Sequence, residues 1–113
     1  MPRSHKLYID DILGAIAKIE KYTGKIAFEK FSKDSLVQDG VIRNLEIIGE
    51  AVKRLPLEIR KKHPDVEWKK IAGIRDVIVH EYFGVSVNIV WDIVRNRVPE
   101  LKVSIRKIKG EQK

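Results

Sequence analysis

The chain has 113 residues, 23 of them Lys or Arg and 16 Asp or Glu, which gives a formal net charge of +7 at pH 7. Its length suits one compact domain, and a hydrophobic fraction of 43% can form a buried core, which argues against disorder. The absence of cysteine excludes disulfides and thiolate sites, and no apolar run suits a membrane span or a signal peptide. We therefore expect a single basic domain over residues 1–113, soluble and cytoplasmic.

Helical periodicity dominates the first part of the chain. Apolar residues recur every three or four positions from Leu7 to Tyr22, which predicts an amphipathic helix. Ser4 is the expected N-cap, and Thr23 with the following glycine supplies a stop. A shorter helical segment of one or two turns is expected over 26–31.

A second long helix is predicted to begin at Asp34 or Ser35 and to end near Leu55. Its apolar set is wider than one stripe, which indicates a central position in the bundle or an oligomer interface. A short helix over 57–62 should follow, cut by the histidine before Pro64.

Glycine and proline divide the rest of the chain. We expect a helical turn over 68–71 that Gly73 breaks, and then a compact apolar helix over 74–83. Ser86 is the predicted N-cap of the last helix, which Pro99 should kink or split.

The fold class follows from the near absence of strand alternation. The sequence predicts an all-α, up-and-down bundle of four to five helices, with the polar tail over 109–113 frayed.

Most enzyme classes lack their motifs here. No glycine-rich phosphate loop is present, and the three histidines show no metal-ligand spacing, so we expect neither a cofactor nor a metal. The adjacent Asp10 and Asp11 are interpreted as first-turn acids that interact with a helix dipole.

The segment 75–82 is different, because it combines an arginine, an acid, an imidazole and a phenol. Asp76 and His80 are four residues apart, so on a helix the carboxylate can orient the ring. Arg75 and His80 are separated by about 140° around the axis of one helix. Either Arg75 reaches from the helix start, or the site is completed across a dimer.

An arginine and a histidine without a metal suit the cleavage of RNA. The imidazole can take the proton of a 2′-hydroxyl, and the guanidinium can stabilise the added charge on phosphorus. The spacing alone is common, and by itself it favours His80 as a core residue and Arg75 as a surface ion-pair partner.

The wider pattern adds context. The run 75–82 resembles the Arg-polar-x3-His signature of HEPN domains, in the Arg-x4-His-x-Tyr form of HepT-type toxins. Further segments similar to this family are 49–51, 68–74, 90–93 and 98–101, so the resemblance covers roughly residues 7 to 108. Asp76 departs from the family pattern, since many members carry asparagine there, which makes its role less certain.

The resemblance implies a HEPN-like, homodimeric and metal-independent endoribonuclease, the toxin of a type VII-like toxin–antitoxin system. Arg75 and His80 would then be catalytic, and Asp76 would support them. The antitoxin of such a pair resembles a minimal nucleotidyltransferase, which transfers AMP to the motif tyrosine, here Tyr82.

The basic surface is a second candidate feature. Four cations near the motif are expected to hold the RNA backbone: Lys53, Arg54, Lys69 and Lys70. Trp68 and Trp91 could stack on bases, but their helical spacing favours a place in the core.

Two other interpretations remain open. The chain could be a non-catalytic HEPN module that binds nucleotide and docks a nucleotidyltransferase, or a basic helical nucleic-acid binder that cleaves nothing.

Overall fold

The structure is a computed structural model that describes residues 4–80 and 87–111, with side chains over 4–74 and 87–111. These residues are almost entirely helical and include no strand, which confirms the predicted all-α class. Within the same ranges, no helix is both long and apolar enough to cross a membrane.

The helices of this part of the chain are α1 (His5–Thr23), α2 (Phe28–Lys33), α3 (Ser35–Arg54), α4 (Leu57–Lys62), α5 (Trp68–His80), α6 (Val87–Asp92), a π-helical segment (Ile93–Arg97) and α7 (Val98–Glu111). The predicted caps of the two long helices are present. The Ser4 hydroxyl accepts the Lys6 N–H at 3.2 Å, and the Asp34 carboxylate accepts the Val37 N–H at 3.1 Å.

The bundle is built around α1 and α3, which run antiparallel. The Tyr22 ring, at the end of α1, packs on Gly40 near the start of α3. Ile12, Ile16 and Leu45 are among the fully buried side chains between the two helices. Since α3 also packs against α5, its wide apolar set reflects a central position within the chain.

The last helix runs antiparallel to α1 and closes the bundle. Lys102 lies 2.9 Å from the Glu20 carboxylate, and Lys109 lies 3.0 Å from that of Asp10. Because α1 begins at His5, Asp10 lies beyond its first turn, as does Asp11. The expected helix-dipole role of these two acids is therefore wrong.

Gly73 does not break the chain into two helices, so the predicted division of 68–71 from 74–83 is wrong. One α-helix runs from Trp68 through Gly73 to His80. Glycine inside a helix costs about 1 kcal/mol relative to alanine, which burial of an adjacent apolar face can outweigh. The predicted end at 83 and the Ser86 cap lie outside the described residues.

The proline in the last helix coincides with a change in hydrogen bonding. Just before Pro99, the Val98 N–H donates to the Ile93 carbonyl five residues back, so that residues 93–97 form a π-helical turn. A proline ring disturbs the turn that precedes it in a regular α-helix, and the change occurs in that turn.

The helix α7 extends to Glu111, and the fraying expected over 109–113 stays a prediction. Lys109 pairs with Asp10, and the Glu111 carboxylate lies 2.9 Å from Nε2 of the buried His63. The Lys109–Asp10 ion pair and the Glu111–His63 contact therefore hold a turn that looks purely polar in the sequence.

Candidate functional site

The candidate site residues Arg75, Asp76 and His80 all lie on α5, whose backbone is helical over their positions. Arg75 is about two turns inside the helix, which rules out the alternative that it reaches from the helix start. Regular helical geometry separates Arg75 from His80 by about 140° around the axis and about 7.5 Å along it.

The start of α5 is fixed by Trp68. Its side chain is 8% exposed, and its indole N–H donates to the carbonyls of Arg60 at 3.1 Å and His63 at 2.9 Å. These bonds tie the helix to the end of α4, so Trp68 is a core residue, as its spacing favoured. Arg75 and the other residues that follow Trp68 in α5 therefore lie on a helix whose first turn is held in place by hydrogen bonds.

The four cations predicted near the motif differ in their surroundings. The Lys70 ammonium lies 2.8 Å from the Glu67 carboxylate, and Arg54 pairs with Glu50 at 3.3 Å. Lys53 is exposed in the last turn of α3. Lys69 is also exposed, and its side chain makes no hydrogen bond or ion pair with the residues that the structure describes.

Glu67 sits between two cations. Its carboxylate accepts a hydrogen bond from Lys70, and Arg97 of the π-helical segment lies 3.8 Å away. The Lys70 hydrogen bond and charge lower the pKa of Glu67, with a smaller contribution from the charge of Arg97. The carboxylate is therefore ionised at neutral pH and neutralises much of the positive charge on this side of α5.

A cleft of about 230 Å³ separates the first half of α5 from the last helix. Its floor is apolar, formed mainly by Ile71, Ile74, Ile93 and Leu101, while Glu67 and its two cations lie at its rim. This cleft could not be predicted from the sequence, because its two walls come from segments some twenty residues apart with no shared motif.

Trp91 belongs to a second cluster that the sequence analysis did not resolve. Its ring packs against Phe31, with centroids 4.9 Å apart, and edge-on against Phe28 at 6.0 Å. The Arg95 guanidinium lies 4.3 Å above the same ring and donates to the carbonyls of Thr23 at 3.2 Å and Ile26 at 2.7 Å. Trp91 is thus a packing residue, as its spacing favoured, and Arg95 caps the end of α1.

The remaining sequence predictions concern Tyr82, metal binding and the histidines. Tyr82 lies outside the described residues. Among the residues that are described, no group of three or more His, Cys, Asp or Glu side chains could hold a metal ion. His63, one of the three histidines, is buried and pairs with Glu111.

Comparison with known proteins finds one matching family and several similar chains, all described as ribonucleases or candidate ribonucleases. The family described as ribonuclease HepT-like matches residues 12–108. A probable ribonuclease HepT of Thermococcus cleftensis is 45% identical over 109 residues, which is 96% of this chain and 99% of that protein. A candidate RNase of Caldanaerobacter subterraneus subsp. tengcongensis is 43% identical, covering 94% of this chain and 95% of its own.

A further relative comes from Methanocaldococcus jannaschii. This candidate RNase is 43% identical over 116 aligned positions, which cover 98% of the chain described here and 96% of the relative. No solved structure matches the chain significantly.

Proposed function

Since the chain belongs to the HepT-like ribonuclease family, we propose that it is an endoribonuclease that cleaves RNA without a metal ion. The observation that carries the proposal is the family match over residues 12–108, which includes the whole of α5 with Arg75 and His80. The high positive charge of the chain suits a polyanionic substrate.

The proposed reaction is an internal displacement at phosphorus. His80 takes the proton of a 2′-hydroxyl, and that oxygen attacks the adjacent phosphorus. A bond forms between the 2′-oxygen and phosphorus while the bond to the 5′-oxygen breaks, which leaves a 2′,3′-cyclic phosphate and a 5′-hydroxyl. Arg75 stabilises the charge that develops on the phosphoryl oxygens.

The helix geometry supports a dimeric site. Arg75 and His80 of one chain lie on different faces of α5, so one small target is reached more easily by residues from two chains. A homodimer would also supply a second imidazole, the partner subunit's His80, to protonate the leaving 5′-oxygen. Asp76 lies one helical turn before His80, and we infer that its carboxylate orients the ring.

Regulation follows from the same family premise. We propose that the protein is the toxin of a type VII-like toxin–antitoxin pair and that a minimal nucleotidyltransferase neutralises it by adding AMP to Tyr82. Such an adduct, bulky and negatively charged, would stand two residues from His80 and repel the RNA backbone.

The basic residues near the motif are proposed to hold RNA through its phosphates. Lys53, Arg54, Lys69 and Lys70 are all exposed, as this role requires. Because Lys70 and Arg54 are each paired with a carboxylate, we expect them to contribute less than an unpaired cation.

The test is incubation of the purified protein with total RNA in EDTA, in the absence of any partner. Wild-type protein should cleave the RNA and leave 2′,3′-cyclic phosphate ends, and the His80→Ala and Arg75→Ala variants should not. Arg106→Ala is the matched control, since Arg106 is exposed on α7, far from the motif in sequence, and should cleave like the wild type.

A different result would favour the binding interpretation. If wild-type protein is inert while mass spectrometry shows Tyr82 unmodified, the ribonuclease proposal is wrong. The chain would then be better explained as a non-catalytic module that docks a nucleotidyltransferase, and co-purification with such a partner would support that function.

A further inference from the structure

One face of α5 brings together residues that the sequence analysis treated separately. Because α5 is continuous through Gly73, regular geometry places Lys69, Gly73, Asp76 and His80 within about 60° of the helix circumference. Lys69 and His80 lie at opposite ends of this face, about 16 Å apart along the axis. We call it the Lys69–His80 face.

Of the four cations predicted to hold RNA, Lys69 is the one for which the described residues offer no partner. In the described parts of the chain it has no carboxylate partner, whereas its neighbour Lys70 lies 2.8 Å from Glu67 on another face of the helix. An exposed, unpaired ammonium is available to an incoming phosphate, and it need not break an existing ion pair to bind one.

Gly73 leaves the middle of this face open. A Cβ atom built at Gly73 would meet no atom within 4 Å in the part of the chain that the structure describes, so packing against those residues does not explain the missing side chain. Glycine nevertheless destabilises the helix relative to alanine. Gly14 of α1 is equally open, so an open glycine alone indicates no site. What distinguishes Gly73 is its position between Lys69 and the proposed catalytic residues.

We propose that a single strand of RNA runs along the Lys69–His80 face, with Lys69 bound to a phosphate and Gly73 at the point of closest approach. The distance from Lys69 to His80 places this contact a few nucleotides from the cleaved bond. Lys69 is then a positioning residue that recognises the backbone and not the bases. The inference rests on the proposed ribonuclease function, because it takes His80 as the cleavage point.

The first arm of the test measures RNA binding separately from cleavage. The probe is a short fluorescein-labelled oligouridylate with 2′-O-methyl groups, which lacks the attacking hydroxyl and cannot be cleaved. Lys69→Gln should weaken binding and reduce the slope of log K against log salt by about 0.7, the value for one phosphate contact on a single strand. Lys18→Gln, which removes an exposed and equally unpaired lysine of α1, should leave the slope unchanged.

The second arm fills the open position. Gly73→Leu should weaken probe binding by roughly tenfold, because a branched side chain would obstruct the RNA path. Gly14→Leu is the matched control, with the same substitution at an open glycine inside a helix, and should bind like the wild type. Leucine is a strong helix former, so both variants should keep their helical circular dichroism.

Three results would overturn the proposed RNA path. An unchanged salt slope for Lys69→Gln would overturn it, and so would equal losses for the Gly73 and Gly14 variants. If Gly73→Leu lowers the mass seen by light scattering but not RNA affinity, the face is an interface between copies and the inference fails.

The same measurements separate this inference from the proposed function. Cleavage by wild type together with an unchanged Lys69→Gln slope would leave the ribonuclease standing without this RNA path. Absence of cleavage together with the expected binding losses would support the path and remove the ribonuclease.

Discussion

Arg95 connects three parts of the bundle through one side chain. Its guanidinium donates to the carbonyls of Thr23 and Ile26 and lies 4.3 Å above the Trp91 ring. We expect Arg95→Ala to lower the free energy of unfolding by roughly 1–3 kcal/mol, since two hydrogen bonds from a charged donor are lost and the Thr23 carbonyl keeps only the Ile26 N–H as a donor. Chemical denaturation followed by circular dichroism would measure the loss.

Two variants make this prediction specific. Arg95→Lys keeps the charge but not the planar fork, so it should recover only part of the stability. Arg106→Ala removes an exposed arginine of α7 and should change stability little. Equal effects for the alanine variants at positions 95 and 106 would contradict the capping role.

The environment of Glu67 predicts a pH dependence. Its pKa is lowered in the folded state by the Lys70 hydrogen bond first, then by the charges of Lys70 and Arg97. A lowered folded pKa stabilises the folded state above the unfolded pKa of about 4.3, and this contribution is lost as the pH falls through the folded value. Carbon-detected NMR titration should show a Glu67 pKa below its usual range.

The control removes the cause of the shift. In Lys70→Gln, the pKa of Glu67 should move up to its usual range, because two smaller and opposed contributions are left: partial burial raises the pKa and the charge of Arg97 lowers it. The Glu67 side chain is half exposed, so solvent screening makes its effect on stability small, and the titration is the better measurement. A Glu67 pKa that does not respond to this substitution would show that the ion pair does not persist in solution.

At the scale of the single helix, we expect a methyl group added at Gly73 of α5 to stabilise the protein. The helix continues through Gly73, and a Cβ there would contact nothing within 4 Å. Gly73→Ala should therefore raise the free energy of unfolding by about 0.5–1 kcal/mol, because alanine loses less backbone entropy on folding. Thermal unfolding would detect the rise.

Gly14→Ala in α1 serves as the comparison, since its position is equally open and helical. Both variants should gain similar stability. A loss for Gly73→Ala alone would mean that the helix is interrupted at Gly73, as the sequence pattern first indicated.

The elements also show which features local sequence could predict. The long helices α1 and α3 were predicted with their caps at Ser4 and Asp34, because periodicity and cap chemistry are both local signals. The continuity of α5 was missed, because the helix packs against α3, which is distant in sequence. The contacts at the end of α7 could not be predicted for the same reason, since the partners Asp10 and His63 are distant in sequence.

The candidate site likewise combines residues that the sequence motif predicts with features that depend on side-chain contacts. A motif of fixed spacing and its family resemblance are enough to propose Arg75, His80 and Tyr82 from the sequence alone. The difference between Lys69 and Lys70 could not be predicted, because it depends on Glu67 pairing with one of two adjacent lysines. Arg95 was not noticed either, since its carbonyl acceptors lie about seventy residues away.

At the scale of the whole molecule, the proposed dimer predicts complementation. Arg75→Ala and His80→Ala chains can be co-expressed with different affinity tags. Purification through both tags in turn then yields only heterodimers. If each site combines Arg75 of one chain with His80 of the other, one site in each heterodimer keeps both of these residues and lacks only the second imidazole, so cleavage should be measurable but below half the wild-type rate. Each single variant, purified by itself, should be inactive.

Wild-type chains carrying the same two tags are the control for the purification. If the heterodimers are as inactive as the single variants, the predicted sharing of Arg75 and His80 between two chains is contradicted. Light scattering that shows a monomer at the assay concentration would contradict the dimer itself.

The ion pairs between α1 and α7 can form only after the last helix of the chain has been synthesised. Asp10 with Lys109 and Glu20 with Lys102 join helices made at opposite ends of synthesis. Until α7 has left the ribosome, α1 lacks one of the helices that cover it, and contacts of such high sequence separation form late in folding. A chain whose translation stops before α7 therefore leaves apolar surface of α1 uncovered, and such surface favours aggregation and recognition by chaperones.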